Sequence, residues 1–371
     1  MSQPDLKQMY RTRTEGDFPE GFALFGANYE KVENLRYGTN PHQPAAFYRP
    51  ADGAGLVLGR YQLLKNGKSG LSQTNLEDMQ HAVGILKFLV EPACAVMKHC
   101  NPSGVAVARP GHTLRMVYER ARDADAQAAF GGVVVFNTEL DADTADAIMQ
   151  TVIEGVAAPA FTPEALAILN DGAGYKRNKE IRVIQLPAYD ALPKFVGDAT
   201  GWEIKVFDDG SIVLAQPYLS RVRGVDDLIP GYNEHATKGR LDIARQADPR
   251  ELADMLFAWY VNIHVRSNGV VIVKNGQTLA VGTGEQDRVG AVQQAIWKAQ
   301  QKYKGEETMQ GAVMASDGFF PFRDAVDSAL SAGITAIVQP GGSMNDYDAI
   351  TACNEAGAAM VFTMERCFSH H

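Results

Sequence analysis

The run Ala93-Cys94-Ala95-Val96-Met97-Lys98-His99-Cys100-Asn101-Pro102-Ser103-Gly104 joins an apolar segment directly to a polar one. Five apolar residues at 93–97 predict a strand that is buried on both faces of a sheet. The Pro and Gly at 101–104 predict a loop after it. Lys98 and His99 form a usable proton-transfer and charge-stabilising pair, because His titrates near neutrality and the pKa of Lys shifts on burial. A solvated Lys-His pair at a strand exit is the alternative interpretation.

Apolar runs alternate with helical patterns on both sides of this segment. The predicted helices are 76–90, with Asn75 as N-cap, then 114–121, 142–153, 252–264, a helix through 289–296, 323–331 and 346–355. The predicted strands are 93–97, 132–136, 270–274, 278–281, 312–315, 334–338 and 358–362, with a type I′ turn at Asn275-Gly276. This alternation indicates an α/β fold with a largely parallel sheet covered by helices.

The middle of the chain has a different pattern. Trp202, Ile204 and Val206 alternate with polar residues before Asp209-Gly210, which is the signature of a β-hairpin. We therefore expect a first α/β unit at 1–195 with an N-terminal extension, an insert or linker at 196–245, and a second α/β unit at 246–371.

Composition excludes several classes of protein. The 371 residues carry a formal net charge of −9, which argues against a nucleic-acid-binding surface. No apolar run is long enough for a membrane span, and the N-terminus lacks the apolar core of a signal peptide, so a cytoplasmic protein is expected. The four Cys and eight His are scattered. They predict neither a disulfide framework nor a dedicated metal centre.

Motifs along nearly the whole chain resemble one enzyme family. They are Leu35-Arg36-Tyr37-Gly38-Thr39-Asn40-Pro41-His42-Gln43, the segment 97–104, 125–132, Ser267-Asn268, 282–288, 316–324, 339–343 and Arg366-Cys367-Phe368-Ser369-His370. This set resembles the aminoimidazole carboxamide ribonucleotide (AICAR) transformylases, usually the C-terminal part of a bifunctional purine enzyme with IMP cyclohydrolase. Ser103, Ala128 and Glu285 depart from the family pattern, which has Cys, Ser and commonly Gln there.

The resemblance implies two cytidine-deaminase-like α/β units with an insert, assembled as a homodimer whose active sites are shared between subunits. It begins near residue 30, and the residues before it are too few for the usual cyclohydrolase domain. We therefore expect a free-standing transformylase, with a separate IMP cyclohydrolase acting downstream.

The implied reaction transfers a formyl group from 10-formyltetrahydrofolate, the co-substrate, to the 5-amino group of AICAR without a catalytic metal. The resemblance makes Lys98 the group that stabilises the oxyanion and His99 the base that accepts the amine proton. The residues expected at AICAR are Arg36, Tyr37 and Arg366 for the phosphate, with Gly131, Glu154, Asn268, Arg288 and Phe319 for the remainder. Those expected at the folate are Asp324, Pro321 and Phe322.

Ordinary structural roles for two of these residues, and other functions for the protein, stay open at this point. Asp324 is also explained as an acidic residue in the first turn of a helix, where it interacts favourably with the helix dipole. Glu154 is also explained as an ordinary surface carboxylate. A non-catalytic purine-nucleotide-binding protein on the same fold would need the arginines and Asn268 but not the Lys-His pair. A deaminase-like hydrolase would need H-x-E and P-C-x-x-C zinc ligands, which the sequence lacks.

Overall fold

A computed structural model of the protein describes residues 15–53 and 56–370. Its strands are β1 Gly21–Leu24, β2 Ala27–Asn34, β3 Ala46–Pro50, β4 Gln62–Lys65, β5 Ala93–Lys98, β6 Asn101–Val107, β7 Gly132–Phe136, β8 Ile153–Ala158, β9 Arg182–Gln185, β10 Glu203–Val206, β11 Ile212–Ala215, β12 Ile229–Pro230, β13 Tyr232–His235, β14 Gly239–Asp242, β15 Val270–Lys274, β16 Gln277–Gly282, β17 Ala312–Ser316, β18 Ile334–Gln339 and β19 Ala359–Phe362. Its α-helices are α1 Gln73–Leu86, α2 Leu114–Arg122, α3 Ala126–Ala129, α4 Ala142–Met149, α5 Pro163–Asn170, α6 Pro249–Asn262, α7 Arg288–Gln301, α8 Asp324–Ser331 and α9 Asp346–Ala356.

One twelve-stranded sheet runs through the molecule in the order β12-β19-β18-β17-β15-β16-β6-β5-β7-β8-β9-β4. Each half of this sheet repeats the same chain path. A helix (α1 or α6) leads into an antiparallel hairpin (β5-β6 or β15-β16), and three further strands alternate with helices. The two halves, which we call the first and second units, join where β6 pairs antiparallel with β16 through Ala106 and Gln277. The predicted α/β fold is therefore confirmed.

The sheet is mixed, so the prediction of a largely parallel sheet was wrong. Only β7-β8, β8-β9, β17-β18 and β18-β19 pair in parallel, and the other neighbours are antiparallel. The cause is that each unit begins its sheet with a hairpin, whose two strands run in opposite directions by construction. The central hairpins bring the two units together along β6 and β16.

The loop predicted at 101–104 is also wrong, because β6 occupies these residues. Pro102 pairs with Met97 beside a register shift between Val96 and Met97. A proline is tolerated at such an irregularity, where its missing N–H interrupts no regular ladder bond. The Lys98-His99 pair therefore lies at a hairpin turn and not at the start of a longer loop.

Several helix ends differ from their predicted positions. Ser72, not Asn75, is the N-cap of α1; Asn75 is the N3 residue that completes a capping box with it. Helix α4 ends at Met149, so Ile153, predicted to be its last residue, instead begins β8. Strands β1–β4, β8, β9 and β12–β14 and helices α3 and α5 were not predicted from the sequence. The hairpin predicted around Asp209-Gly210 is confirmed as β10-β11.

Helices cover both faces of the large sheet. On one face α1 and α6 contribute to a single core that contains Met79, Val83, Trp259 and Val261. On the other face α2, α4 and α5 cover the first unit, and α7, α8 and α9 cover the second, in two separate cores. Burial of each central strand on both faces explains the continuous apolar runs of the sequence. In the described parts of the chain, no helix combines the length and apolarity required to cross a membrane.

Candidate active site

The Lys98-His99 pair lies at the turn of the β5-β6 hairpin. Lys98 pairs with Asn101, which leaves His99 and Cys100 as a two-residue turn, with φ of 55° and 63°. Positive φ at both central positions defines a type I′ turn, which matches the twist of a two-stranded hairpin. The imidazole of His99 is exposed, and the half-buried Lys98 donates from Nζ to the carbonyl of Gly131 at 2.5 Å. The turn therefore exposes His99 to solvent, next in the chain to a lysine whose ammonium group is held by Gly131.

Asn101 fastens this turn to the second unit. Its Oδ1 accepts hydrogen bonds from the backbone N–H of Arg266 at 3.0 Å and from the hydroxyl of Thr283 at 2.7 Å, and its Nδ2 donates to the carbonyl of His99 at 3.1 Å. Lys98 and His99 line a cavity of about 210 Å³ together with Thr283 and Lys298 of the second unit. The Lys-His pair is thus at the junction of the two units.

A cationic pocket of about 410 Å³ in the first unit contains Arg36, Tyr37 and Glu154. Arg36 is only 4% exposed; its Nη2 donates to the hydroxyl of Tyr37 at 2.9 Å, and its guanidinium lies 4.5 Å from the centre of the Tyr37 ring. The Nε of Arg36 is buried without a hydrogen-bond partner. Lys68 and Arg177 also line the pocket. Arg36 is buried, Lys68 is half-buried and Arg177 is exposed, and such a concentration of cations suits a multiply charged anion.

Arg182 is a residue of this pocket that the sequence analysis missed. It is buried and donates to the carbonyls of Gly70, at 2.5 Å, and Lys68, at 2.9 Å. Burial, with the nearby charge of Arg36, lowers the pKa of Arg182 to about 10. An arginine inside the apolar run Ile181-Arg182-Val183-Ile184 was the available signal, because a buried arginine needs a partner or a function.

Gly131 and Glu154 connect the pocket to the Lys-His turn. Gly131 accepts from Lys98 through its carbonyl, and its N–H donates to the carbonyl of Val152, which lines the cationic pocket. Glu154 accepts from the side chain of Asn75 at 3.2 Å. The expected site residues of the first unit are therefore one connected group. We call it the first-unit group: Arg36, Tyr37, Lys98, His99, Gly131 and Glu154.

The second unit holds a larger cavity of about 600 Å³, lined by Asn268, Arg288, Phe319, Pro321 and Arg366 among others. Asn268 accepts from Nη2 of Arg288 at 2.7 Å and donates from Nδ2 to the carbonyl of Glu285 at 3.0 Å. An amide has two lone pairs and two N–H groups, so one of each remains for a ligand. Asp324 and Phe322 do not line this cavity but follow Pro321, which does, closely in the chain. We call the cavity-lining residues named here, together with Asp324 and Phe322, the second-unit group.

Asp317 organises the second-unit cavity, although the sequence analysis gave it no role. This fully buried carboxylate forms an ion pair with Arg288 and accepts from the hydroxyl of Ser267 at 2.6 Å and the N–H of Gly269 at 2.8 Å. It thereby fixes the loop that carries Asn268. The signal was its position between the apolar run 312–315 and the Gly-Phe segment at 318–319.

The residues expected at the folate have mixed surroundings. Phe319 and Phe322 are 45% and 64% exposed, whereas Phe320 between them is part of the second-unit core. Asp324 is the first residue of α8, and its Oδ1 accepts from the N–H of Ala325 at 2.8 Å. Asp324 therefore occupies the acidic first turn of a helix, as its alternative role requires. Its carboxylate is exposed and still has lone pairs that can accept hydrogen bonds from a ligand.

The two arginines expected at one phosphate lie apart. Arg36 lines the cationic pocket of the first unit, and Arg366 lines the cavity of the second, where its guanidinium lies 4.9 Å from the ring centre of Phe368. Among residues 15–53 and 56–370, no group of three or more His, Cys, Asp or Glu side chains could hold a metal ion.

Comparison with known proteins identifies the family of this chain. The model of the AICARFT/IMPCHase bienzyme family matches residues 6–298. The chain belongs to that family. It is 37% identical to the bifunctional purine biosynthesis protein PurH of Oceanobacillus iheyensis, over 98% of this chain and 64% of that protein. The PurH proteins of Acetivibrio thermocellus and Acidithiobacillus ferrooxidans are each 40% identical, over 96% and 95% of this chain and 62% and 61% of theirs. The chain thus spans less than two thirds of the length of these relatives.

In this member of the AICARFT/IMPCHase family, a buried carboxylate lies behind the Lys-His turn. Asp78 of α1 is 5% exposed and accepts from the N–H of Cys100 at 2.8 Å. Burial raises the pKa of Asp78 to about 6, although the Cys100 hydrogen bond and the charge of Lys98 oppose the shift. The charges of Glu154 and Glu77 act in the same direction as burial.

This shift predicts a pH-dependent stability difference between the wild type and Asp78→Asn. The folded protein binds the Asp78 proton more tightly than the unfolded chain does, so this contribution grows as pH falls through 6 and is lost above it. From pH 8 to pH 5, the unfolding free energy of the wild type should rise relative to that of Asp78→Asn by about 1.4 kcal/mol. Urea unfolding of both proteins at the two pH values measures the difference. A constant difference would contradict the raised pKa.

Proposed function

We propose that the chain transfers the formyl group of 10-formyltetrahydrofolate to the 5-amino group of AICAR, as a step of purine biosynthesis. The observation that carries this proposal is the Lys98-His99 turn, which presents an exposed imidazole beside an ammonium group at the junction of two units. Membership in a family named for AICAR transformylase and IMP cyclohydrolase supports it. Formyl transfer to a weak amine needs both groups, a base for the amine and a cation for the developing oxyanion.

The reaction follows from these two side chains. The amine nitrogen of AICAR attacks the formyl carbon, and the neutral imidazole of His99 accepts the proton that the amine loses. The ammonium of Lys98 stabilises the negative charge on the formyl oxygen. As the tetrahedral intermediate collapses, the bond from the formyl carbon to N10 of the folate breaks. That nitrogen takes up one proton, which balances the proton lost by the amine, and Lys98 supports this protonation. Tetrahydrofolate and formyl-AICAR are the products.

The remaining residues bind the two substrates. We assign the ribonucleotide phosphate to the cationic pocket, where Arg36 and Tyr37 contact it and Arg182 maintains the pocket wall. Glu154 accepts from a ribose hydroxyl, and Gly131 lets the backbone approach the nucleotide. Asn268, Arg288 and Phe319 recognise the carboxamide and the base. Arg366 is a second phosphate ligand, contributed from the second-unit cavity.

We assign the folate pterin to the second-unit cavity, next to the AICAR base and with Phe319 between the two ligands. The apolar part of the cavity lining, including Phe319 and Pro321, suits a flat ring, and about 600 Å³ is within the usual range for ligand sites. The exposed Phe322 packs on the same ligand. Asp324 accepts hydrogen bonds from the amino group and ring N–H of the pterin.

A homodimer accounts for the separation of the two groups, since the second-unit cavity of one protomer can face the Lys-His turn of its partner. The hairpin β10-β11 supports association, because Val206, Ile212 and Leu214 are exposed on it. Two-stranded hairpins with apolar exposed faces are rarely stable alone.

Subunit exchange tests this shared site. We mix His99→Ala, from the first-unit group, with Arg366→Ala, from the second. The AICAR concentration saturates the wild type but leaves Arg366→Ala and Arg36→Ala nearly unoccupied, so that each variant alone is inactive. If each site takes one group from each protomer, half of the dimers are mixed and one of their two sites is intact. Activity should recover to about a quarter of the wild-type level. The matched control mixes His99→Ala with Arg36→Ala, both from the first-unit group, and should stay inactive. Recovery in neither mixture, or a monomer in sedimentation, contradicts the shared site.

We also predict that the chain alone stops at formyl-AICAR. The residues assigned above serve formyl transfer, and we expect IMP to appear only after a separate IMP cyclohydrolase is added. That enzyme should also increase the net yield, because it removes a product whose formation from a weak amine is near-reversible. Chromatography of the nucleotides with and without the added enzyme measures this. Stoichiometric IMP from the chain alone would contradict it.

The test of the proposed function is a formyl-transfer assay of the purified chain in a buffer containing a metal chelator. We expect formyl-AICAR and tetrahydrofolate to form in equal amounts. AICAR binding without turnover would favour the non-catalytic nucleotide-binding protein. Turnover that the chelator abolishes would favour a metal-dependent reaction and contradict the proposal.

A further inference from the structure

In each unit, a helix behind the central hairpin carries a buried aspartate that accepts hydrogen bonds from the hairpin turn. In the first unit Asp78, the sixth residue of α1, accepts from the turn of β5-β6 at Cys100. In the second unit Asp254, the sixth residue of α6, accepts from the turn of β15-β16, at the N–H groups of Asn275 and Gly276, both at 2.8 Å. Both turns have two residues with positive φ. The equivalent positions allow the two turns to be compared directly.

The two turns differ in how well their own sequences support the backbone. Asn275-Gly276 is a dipeptide whose own sequence favours the type I′ turn, in addition to the two hydrogen bonds that its N–H groups donate to Asp254. His99 and Cys100 both carry a Cβ, which disfavours positive φ. The turn that carries His99 therefore needs support from outside the hairpin, whereas its counterpart does not.

Asp78 supplies that support. Its carboxylate is buried and accepts the Cys100 N–H at 2.8 Å, while Lys98 of β5, Glu154 of β8 and Glu77 of α1 are the charged groups that act on it. An ionised acceptor makes a stronger hydrogen bond to an amide than a neutral one. We propose that Asp78 is a positioning residue, which holds the Lys98-His99 turn in its left-handed conformation through the Cys100 N–H. The kinetic consequence rests on the proposed formyl transfer.

A positioning role makes a prediction that a purely structural role does not. Asp78→Ala should lower kcat about tenfold or more, because small displacements of a catalytic group are costly, while KM for AICAR stays within about twofold. Adding Cys100→Gly to Asp78→Ala should restore most of kcat, because glycine adopts positive φ without strain. Glycine has no side chain, so it makes no new contact with the catalytic groups or with the space that Asp78 occupied. A recovery of kcat therefore reports on the conformation of the turn itself.

Asp254→Ala is the matched control, since it removes the equivalent support, two hydrogen bonds, from the other turn. We expect its thermal midpoint to fall, because Arg109 and Arg250 lose their partner, while kcat stays near the wild-type value. If Asp254→Ala does not fold, Asp254→Asn replaces it. A folded Asp78→Ala with kcat within twofold of the wild type overturns the proposal. So does a folded double variant that is as slow as Asp78→Ala.

Hydrogen exchange of the Cys100 amide separates this proposal from the proposed function. Asp78→Ala should accelerate that exchange at least about tenfold, and Asp254→Ala should leave it unchanged. If the wild type transfers no formyl group, the proposed function fails and the exchange rate alone decides the role of Asp78. Accelerated exchange then supports the positioning role, and an unchanged rate overturns it. If Asp78→Ala does not fold, kcat and Cys100 exchange are measured on Asp78→Asn, with smaller changes expected in the same directions.

Discussion

His99→Ala should lower turnover by about two orders of magnitude or more, because a positioned general base contributes roughly 10²–10⁴ to the rate. AICAR affinity should change little, since the imidazole is exposed at the tip of the turn and the phosphate pocket lies elsewhere. Steady-state kinetics with a parallel binding titration measures both quantities. Lys98→Ala should lower turnover by a similar factor. The double variant should lose far less turnover than the product of the two single factors, because both residues act on one transition state.

A surface histidine provides the control for this prediction. His235 of β13 accepts from the N–H of Thr237 at 3.2 Å and is remote in sequence from every assigned site residue. His235→Ala should keep wild-type turnover. Near-normal turnover of His99→Ala would remove His99 from the mechanism, even if formyl transfer itself were observed.

Arg36→Ala should weaken AICAR binding by about 2–4 kcal/mol, which is the scale of a charge-assisted contact to phosphate. This corresponds to about 30- to 1,000-fold in the dissociation constant. Arg366→Ala should have an effect of the same order if both arginines contact the phosphate in the dimer. Folate affinity should stay nearly intact in Arg36→Ala. Calorimetric titration with AICAR and with a folate measures each.

Two further variants make the test specific. Arg36→Lys keeps the charge but loses the planar fork and the contact with Tyr37, so it should recover only part of the affinity. Arg49→Ala removes a surface arginine that pairs with Glu30 at 2.7 Å, and it should leave AICAR binding unchanged. An unchanged dissociation constant in Arg36→Ala would exclude the cationic pocket as the phosphate site.

The sequence predicted those elements whose local signals agree with their burial. Strand β7 was predicted with its observed ends, because Gly132–Phe136 is continuously apolar and buried on both faces. The β15-β16 hairpin was predicted because Asn275-Gly276 is an intrinsic turn former. The β5-β6 hairpin was not, since His99-Cys100 carries no turn signature and Pro102 suggests a loop. Tertiary support, including Asp78, determines the conformation there.

The candidate site was predictable as a set of residues but not as an arrangement. Motifs give residue identities, whereas the distribution of those residues over three cavities depends on how the chain folds into two joined units. Arg182 and Asp317 were missed because each acts through buried contacts to loops distant in sequence. A single sequence does not reveal such contacts, although a charged residue in an apolar run is a useful warning.

Transfer of an isotopic label tests the central claim most directly. Folate carrying a ¹³C-labelled formyl group is incubated with AICAR and the purified chain, and the label is followed by NMR. We expect the wild type to move the label from N10 of the folate to the 5-amino nitrogen of AICAR. His99→Ala, at concentrations that give equal AICAR occupancy, should leave it on the folate. Label that stays on the folate, or is released as formate, with the folded and AICAR-saturated wild type would contradict the account.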